Sequence, residues 1–228
     1  MCSIFGGSNF NVYSKLYEKG RERGAFAYGG LFLSHTYDAC IKKEGVIELS
    51  KNMTINNSDI QMKPSDFYFF LGHTQAPTSA KRIFDENTSH PFYCGEWVVA
   101  HNGVLTNDAK LKALIKDNSK YNEVDSSVIP ALIEKYSEQF PGNEVEIICT
   151  ALSKLEGTFG LWIYCKTSHN IYIARSGSTL YANLLTNEFS SLPGNNLEPL
   201  EEGVLYLLTP EGLTSVGGFI KNSPFFII

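Results

Sequence analysis

Of the 228 residues only five are cysteine, five histidine, three methionine and two tryptophan, and the 19 Lys and Arg are outnumbered by 24 Asp and Glu. The resulting net charge of -5 gives no electrostatic footprint for nucleic acid, and the Lys and Arg are scattered rather than striped, so direct nucleic-acid binding is not expected. No stretch approaches the run of about 18 apolar residues that spans a membrane, and the opening MCSIFGGSNFNVYSK lacks the basic and apolar regions of a secretion signal. The expectation is a cytosolic protein with no membrane contact. Cys2, Cys40, Cys94, Cys149 and Cys165 are odd in number, with no C-x-x-C pair and no histidine cluster at zinc-ligand spacing. Disulfides, a structural metal and any cofactor are therefore not expected, and the four cysteines after Cys2 read as small core or half-buried residues.

What is present is apolar bulk: 43% of the chain is hydrophobic, enough for one substantial core. The expectation is a single domain over residues 1–228, with 219–228 as a short apolar-ended tail and no linker to a second folded unit. Residues 2–5 read as a short strand stopped by Gly6-Gly7, and 12–21 as a helix that Asn11 caps, with Val12 and Leu16 on one face. Strands follow at 26–34, where Gly29-Gly30 marks a bulge or close backbone approach, and in a hairpin over 38–49 turning at Lys43-Glu44-Gly45. The polar segment 50–65 has no period that fixes a structure. Residues 66–73 and 97–101 are buried strands, the second delivering Asn102-Gly103 at its end, and 74–89 is a long polar connection of the kind that carries binding loops. Helices are expected over 108–116 with Asn107 as cap, from Asp125, and from an Asn143 capping box to a closing Gly157. Five strands then fill 159–219.

Chemistry concentrates at Cys2. Removal of Met1, favoured by the small residue after it, leaves a thiol and a free α-amine on one residue, and an amine of pKa about 7.7–8.0 can take the thiol proton. Amide hydrolysis also needs donors aimed at the developing oxyanion. Asn102 offers a side-chain N–H and Gly103 a flexible backbone N–H, although Asn-Gly is equally a turn signal. His73, His90 and His101 lie in or beside buried strands and read as structural donors, since the N-terminal amine makes a separate base unnecessary.

Met-Cys-Ser-Ile-Phe-Gly-Gly, Arg23-Gly24, Leu71-Gly72-His73-Thr74, His90-Pro91-Phe92, Ala100-His101-Asn102-Gly103, Asp125 and Gly157-Thr158-Phe159-Gly160 occur in this order. From Cys2 to about Gly217 the chain resembles the class II glutamine amidotransferase (N-terminal-nucleophile, or Ntn) glutaminase domain. The resemblance implies an α+β fold, the four-layer αββα sandwich of two antiparallel sheets, with Cys2 as nucleophile and Asn102 and Gly103 as the oxyanion hole. It implies that Asp125 holds the substrate ammonium, where a helix cap is the plainer explanation, and that Thr78 and Gly103 line the pocket. Arg23 matches the family's Arg-Gly near the nucleophile, or is a surface charge at a helix end. Members of the glucosamine-6-phosphate synthase type place an arginine after His-Thr to grip the substrate carboxylate. Here Gln75 stands at that position, so either Lys81 or Arg82 replaces it or the substrate is a small amide other than free glutamine. The implied activity is a stand-alone glutaminase that supplies ammonia to a separate acceptor synthase. A hydrolase of another small amide and a non-catalytic binding module are its rivals.

Overall fold

Three groups of buried side chains lie one behind another through the molecule, and the spaces between layers are where they sit. The structure, a computed structural model, describes residues 2–57, 60–76 and 85–222. Its first half runs β1 (Ser3–Gly7), α1 (Phe10–Arg21), β2 (Ala27–Leu33), β3 (Ala39–Glu44), β4 (Ile55–Asn57), β5 (Ile60–Met62), β6 (Phe69–Gln75), β7 (Phe92–Cys94) and β8 (Trp97–Leu105). The helices α2 (Asp108–Ile115), α3 (Val128–Ser137) and α4 (Glu144–Leu152) follow. Then come β9 (Gly157–Cys165), β10 (Ile171–Ser176), β11 (Tyr181–Ala182), β12 (Phe189–Ser190), β13 (Glu198–Pro199), β14 (Val204–Thr209) and β15 (Gly212–Gly218).

One antiparallel sheet has the order β13-β11-β12-β1-β6-β2-β3, and the other the order β15-β14-β10-β9-β8-β7. Helix α1 packs outside the first sheet on Phe5, Tyr28, Phe32 and Phe70. The two sheets enclose a second core of Ile4, Leu71, Ala100, Trp162 and Ile173. Helices α2, α3 and α4 cover the outer face of the second sheet around Leu132, Ile148, Leu152 and Leu161. This is the four-layer α+β sandwich that the motif order implies. Trp162 of β9 is fully buried and donates its indole N–H to Gly72 O of β6 at 3.1 Å, so one side chain fills the inter-sheet space and ties the sheets together.

Several local expectations need correction. The cap of α1 is Asn9, whose Oδ1 accepts from the backbone N–H groups of Asn11 at 2.9 Å and Val12 at 3.4 Å. The helix therefore starts two residues earlier than expected. Its buried residues are Tyr13, Tyr17 and Gly20, at spacings that return to one face, and Leu16 packs partly buried beside them. The β3 hairpin pairs with β2 and turns at 34–38, not at Lys43-Glu44-Gly45, because Ser34 Oγ accepts from Tyr37 N at 2.9 Å and donates to Tyr37 O at 2.6 Å. Strands β4 and β5 pair antiparallel as a small two-stranded sheet of their own.

Asn107 does not cap α2. Its side-chain amide donates to Lys154 O at 2.9 Å and accepts from Glu156 N at 3.0 Å, which fastens the start of α2 to the end of α4. Helix α4 ends at Leu152, and Gly157 opens β9 instead of closing the helix. Its φ of 131° favours glycine, and a Cβ there would lie 2.2 Å from Val104 O. Within 179–185, expected as one strand, only Tyr181–Ala182 (β11) is extended, and it pairs with β12, which lies beyond that segment. Phe219 belongs to the core, 9% exposed and 5.7 Å from the Phe159 ring, and Asn222 donates to Ser153 O at 2.7 Å, so the fold extends into what read as a tail. Gly29 meets its expectation of close approach: a Cβ there would stand 1.9 Å from His90 O, so only glycine admits the 89–91 loop against β2.

Candidate active site

Strand β1 is an interior strand, held between β12 and β6, and this fixes the residue at its head. Ser3 Oγ lies 3.0 Å from Ser191 Oγ, and Ile4 N donates to the same oxygen at 3.1 Å. Cys2, half-buried, turns its thiol toward Ala76 O at 3.9 Å. Across the inter-sheet space, β8 runs on through Asn102 and Gly103 to Leu105 instead of ending before them. Asn102 pairs with Gly160, and Gly103 with Phe159. Gly103 has φ 156°, and a Cβ on it would stand 1.9 Å from Thr158 O, so the strand stays tight against β9 only because residue 103 has no side chain.

Cys2, Asn102 and Gly103 thus come from different sheets and line one cleft of about 440 Å³. Arg23 lines it as well and donates from Nη1 to Ser191 O at 3.4 Å. Gly24 permits this placement, since a Cβ there would lie 2.6 Å from Ala76 N. Ala76, Val104, Thr158 and the 177–179 turn complete the wall. The turn is held by Arg175, which donates to Ser178 O at 2.8 Å, and by Thr179, which donates to Ser191 O at 2.8 Å. In the sequence these residues read as strand and turn. The polar run Ser176-Gly177-Ser178-Thr179 directly after an apolar strand was the available signal.

Other expected site residues stand elsewhere. Asp125 does not line the described cleft. It lies in the short turn before α3, where Oδ2 accepts from Leu105 N at 3.1 Å and Oδ1 faces Ser126 Oγ at 3.3 Å, so it ties that turn to β8 and caps no helix. Gln75 is also absent from the cleft wall. It is 1% exposed at the end of β6, its backbone oxygen accepts from Phe26 N at 2.9 Å, and its Oε1 has no hydrogen-bond donor among the described residues. Thr78, Lys81 and Arg82 lie outside the described residues.

None of the three histidines lines the cleft. His73 and His90 stack with ring centroids 3.9 Å apart, buried between strand and loop. His101 places Nδ1 2.9 Å from Ser126 Oγ and Nε2 3.2 Å from Thr158 O. Burial holds its proton affinity below the ordinary histidine value, against the opposing pull of Asp125 and of the Thr158 carbonyl. Among the described residues no group of three His, Cys, Asp or Glu is placed to hold a metal ion, and no helix is long and apolar enough to cross a membrane.

Residues 79–186 match the glutamine amidotransferase domain family. The glutamine–fructose-6-phosphate aminotransferase (isomerizing) of Francisella tularensis is 31% identical over 221 residues, which are 91% of this chain and 34% of that protein. The protein of the same name from Symbiobacterium thermophilum is 30% identical over 168 residues, 68% of this chain and 27% of that one. The chain carries a class II glutamine amidotransferase domain. It spans about a third or less of the length of these curated relatives.

The amidotransferase domain also superposes on solved structures. The glutamine phosphoribosylpyrophosphate amidotransferase from B. subtilis, complexed with ADP and GMP, matches with a TM-score of 0.68 at 18% identity, over 94% of this chain and 49% of that one. The glutamine aminotransferase class-II domain protein from Silicibacter pomeroyi matches with a TM-score of 0.54 at 14% identity, over 96% of this chain and 98% of that one. At such identities the likeness is one of fold.

Proposed function

We propose that this domain hydrolyses the side-chain amide of glutamine and that the ammonia passes to a separate acceptor protein, in the cytosol. The observation that supports this most directly is that Cys2, Asn102 and Gly103 share one cleft although they belong to different sheets. Met1 is removed, and the freed α-amine of Cys2 takes the thiol proton. Sulfur attacks the amide carbon, and the oxygen that becomes negative is met by the Asn102 side-chain N–H and the Gly103 backbone N–H. The protonated amine returns its proton to the departing nitrogen, ammonia leaves, and a thioester remains. Water then adds to the thioester with the amine as base, which releases glutamate and restores the thiol.

Arg23 serves as carboxylate partner, because it is the one lysine or arginine among the described lining residues; Asp125, whose carboxylate accepts from Leu105 N–H next to the lining residue Val104, serves the ammonium end, and Thr78 lines the same pocket. A second reading, hydrolysis of another small amide, draws support from Gln75, which brings neither charge nor a lining atom to the described cleft. Ammonia release from glutamine and from a panel of small amides decides between them, combined with intact mass of the active protein. Faster release from glutamine, by a chain one methionine lighter, is expected. A chain that keeps Met1 and is fully active overturns the proposed base.

A further inference from the structure

Asp125 and the strand that bears Asn102 and Gly103 are linked through two buried side chains. Ser126 Oγ stands 2.9 Å from His101 Nδ1 and 3.3 Å from Asp125 Oδ1. His101 Nε2 lies 3.2 Å from Thr158 O, and that carbonyl is the atom a Cβ on residue 103 would strike. His101 is 2% exposed and Ser126 5%, so water does not substitute freely for either partner. The other Asp125 oxygen, Oδ2, is taken by Leu105 N–H at 3.1 Å.

Counting protons shows a conflict in this chain. A carbonyl only accepts, so the contact at Thr158 needs a proton on His101 Nε2. A neutral imidazole protonated there carries a lone pair on Nδ1, which the Ser126 hydroxyl must satisfy. That hydroxyl has a single proton, and the Asp125 carboxylate faces the same oxygen. One proton has two acceptors, and the charge on Asp125 weighs the choice.

We propose that Ser126 couples the charge state of Asp125 to the seating of His101 against Thr158 O, so that a substrate ammonium on Asp125 firms the cleft wall formed by Asn102, Gly103 and Thr158. The proposal rests on the glutaminase reading and on Asp125 as the ammonium site. An ammonium neutralises the carboxylate, the Ser126 proton turns to His101 Nδ1, and the Nε2 proton stays on Thr158 O. With Asp125 bare, the hydroxyl is drawn toward it, and the Ser126 oxygen facing Nδ1 and the Thr158 carbonyl facing Nε2 compete for the one imidazole proton. His101 and Ser126 touch no substrate in this scheme and are positioning residues.

The test is ammonia release by the full chain from glutamine and from glutaric acid monoamide, which has the same side-chain amide and carboxylate but no α-amine. Ser126→Ala is expected to lower kcat for glutamine about two- to tenfold, the worth of one neutral hydrogen bond, with less change in KM. It leaves kcat for the monoamide unchanged, which also shows that the variant is folded, and Ser126→Thr, which keeps the hydroxyl, retains the glutamine rate. Equal losses on both substrates, no loss on either, or a Ser126→Thr variant as slow as Ser126→Ala overturns the coupling. A wild-type chain that turns over glutamine alone supports it when Ser126→Ala lowers that kcat. No ammonia from either substrate with wild type overturns the glutaminase reading itself, and the coupling with it.

Discussion

Cys2 and Asn102 line the same cleft while belonging to opposite sheets, one at the head of β1 and the other within β8. Their spacing is therefore set by the inter-sheet packing, and Trp162, bonded to Gly72 O, is one of the side chains that sets it.

Removing the sulfur isolates the chemistry from the fold. Cys2→Ala is expected to abolish ammonia release, while the melting temperature stays within a few degrees of wild type, because the thiol is half-buried and its contact to Ala76 O is long. Residual turnover at the wild-type level would remove Cys2 from the mechanism.

Asn102→Ala is expected to lower kcat by ~10²–10³, the usual loss when one oxyanion donor is deleted, with KM changed little. A change confined to KM would mean that Asn102 only shapes the pocket.

Among the described residues, the cation in the cleft wall is Arg23. Arg23→Gln is expected to raise KM for glutamine by roughly 10- to 100-fold, the worth of a charge-assisted hydrogen bond, and to narrow the preference for glutamine over its α-carboxamide. If the preference survives in Arg23→Gln and disappears when Lys81 and Arg82 are both replaced by alanine, the carboxylate partner lies in the 77–84 segment instead.

Gly103→Ala tests the backbone of the site. A methyl group at φ 156° placed 1.9 Å from Thr158 O forces β8 away from β9, and a loss of about 2–4 kcal/mol is expected in urea denaturation. Wild-type stability in that variant would show that the two strands separate without cost.

Acid should destabilise the domain in part through His101. Its folded-state proton affinity is lowered, chiefly by burial, so below about pH 6.5, the ordinary histidine value, the unfolded chain binds more protons than the folded one. The contribution of this residue is thus intact above that pH and declines as pH falls through it. Denaturation midpoints measured from pH 8 to pH 5 should fall less steeply in His101→Gln than in wild type, and parallel curves would assign the acid sensitivity to other groups.

The legible part of this molecule was the part written in local pattern and motif. The strands expected at 26–34, 66–73 and 204–209, found at 27–33, 69–75 and 204–209, the Asn143 cap and the four-layer order could be read because apolar runs, cap residues and motif order are properties of the chain itself. What escaped was decided by partners distant in sequence. Nothing near Asn107 announces that its amide is spent on Lys154 and Glu156, and nothing near Asn102-Gly103 shows that β9 keeps the strand going beyond them. The 177–179 turn and Val104 join the cleft only because β10 and β8 end beside Cys2, and Gln75 leaves its wall because β6 buries it.

The place of β1 between β6 and β12 has a consequence for birth on the ribosome. Phe5 and Gly6 find their β12 partners in Ser190 and Phe189, and at about 5–20 residues per second those partners emerge on the order of ten seconds or more after the first strand. Until then a nascent chain presents an unpaired apolar edge beside the segment that holds its thiol, and such edges invite association with other chains. Truncation before residue 189 should make that interval permanent, leaving a sticky fragment rather than a smaller enzyme.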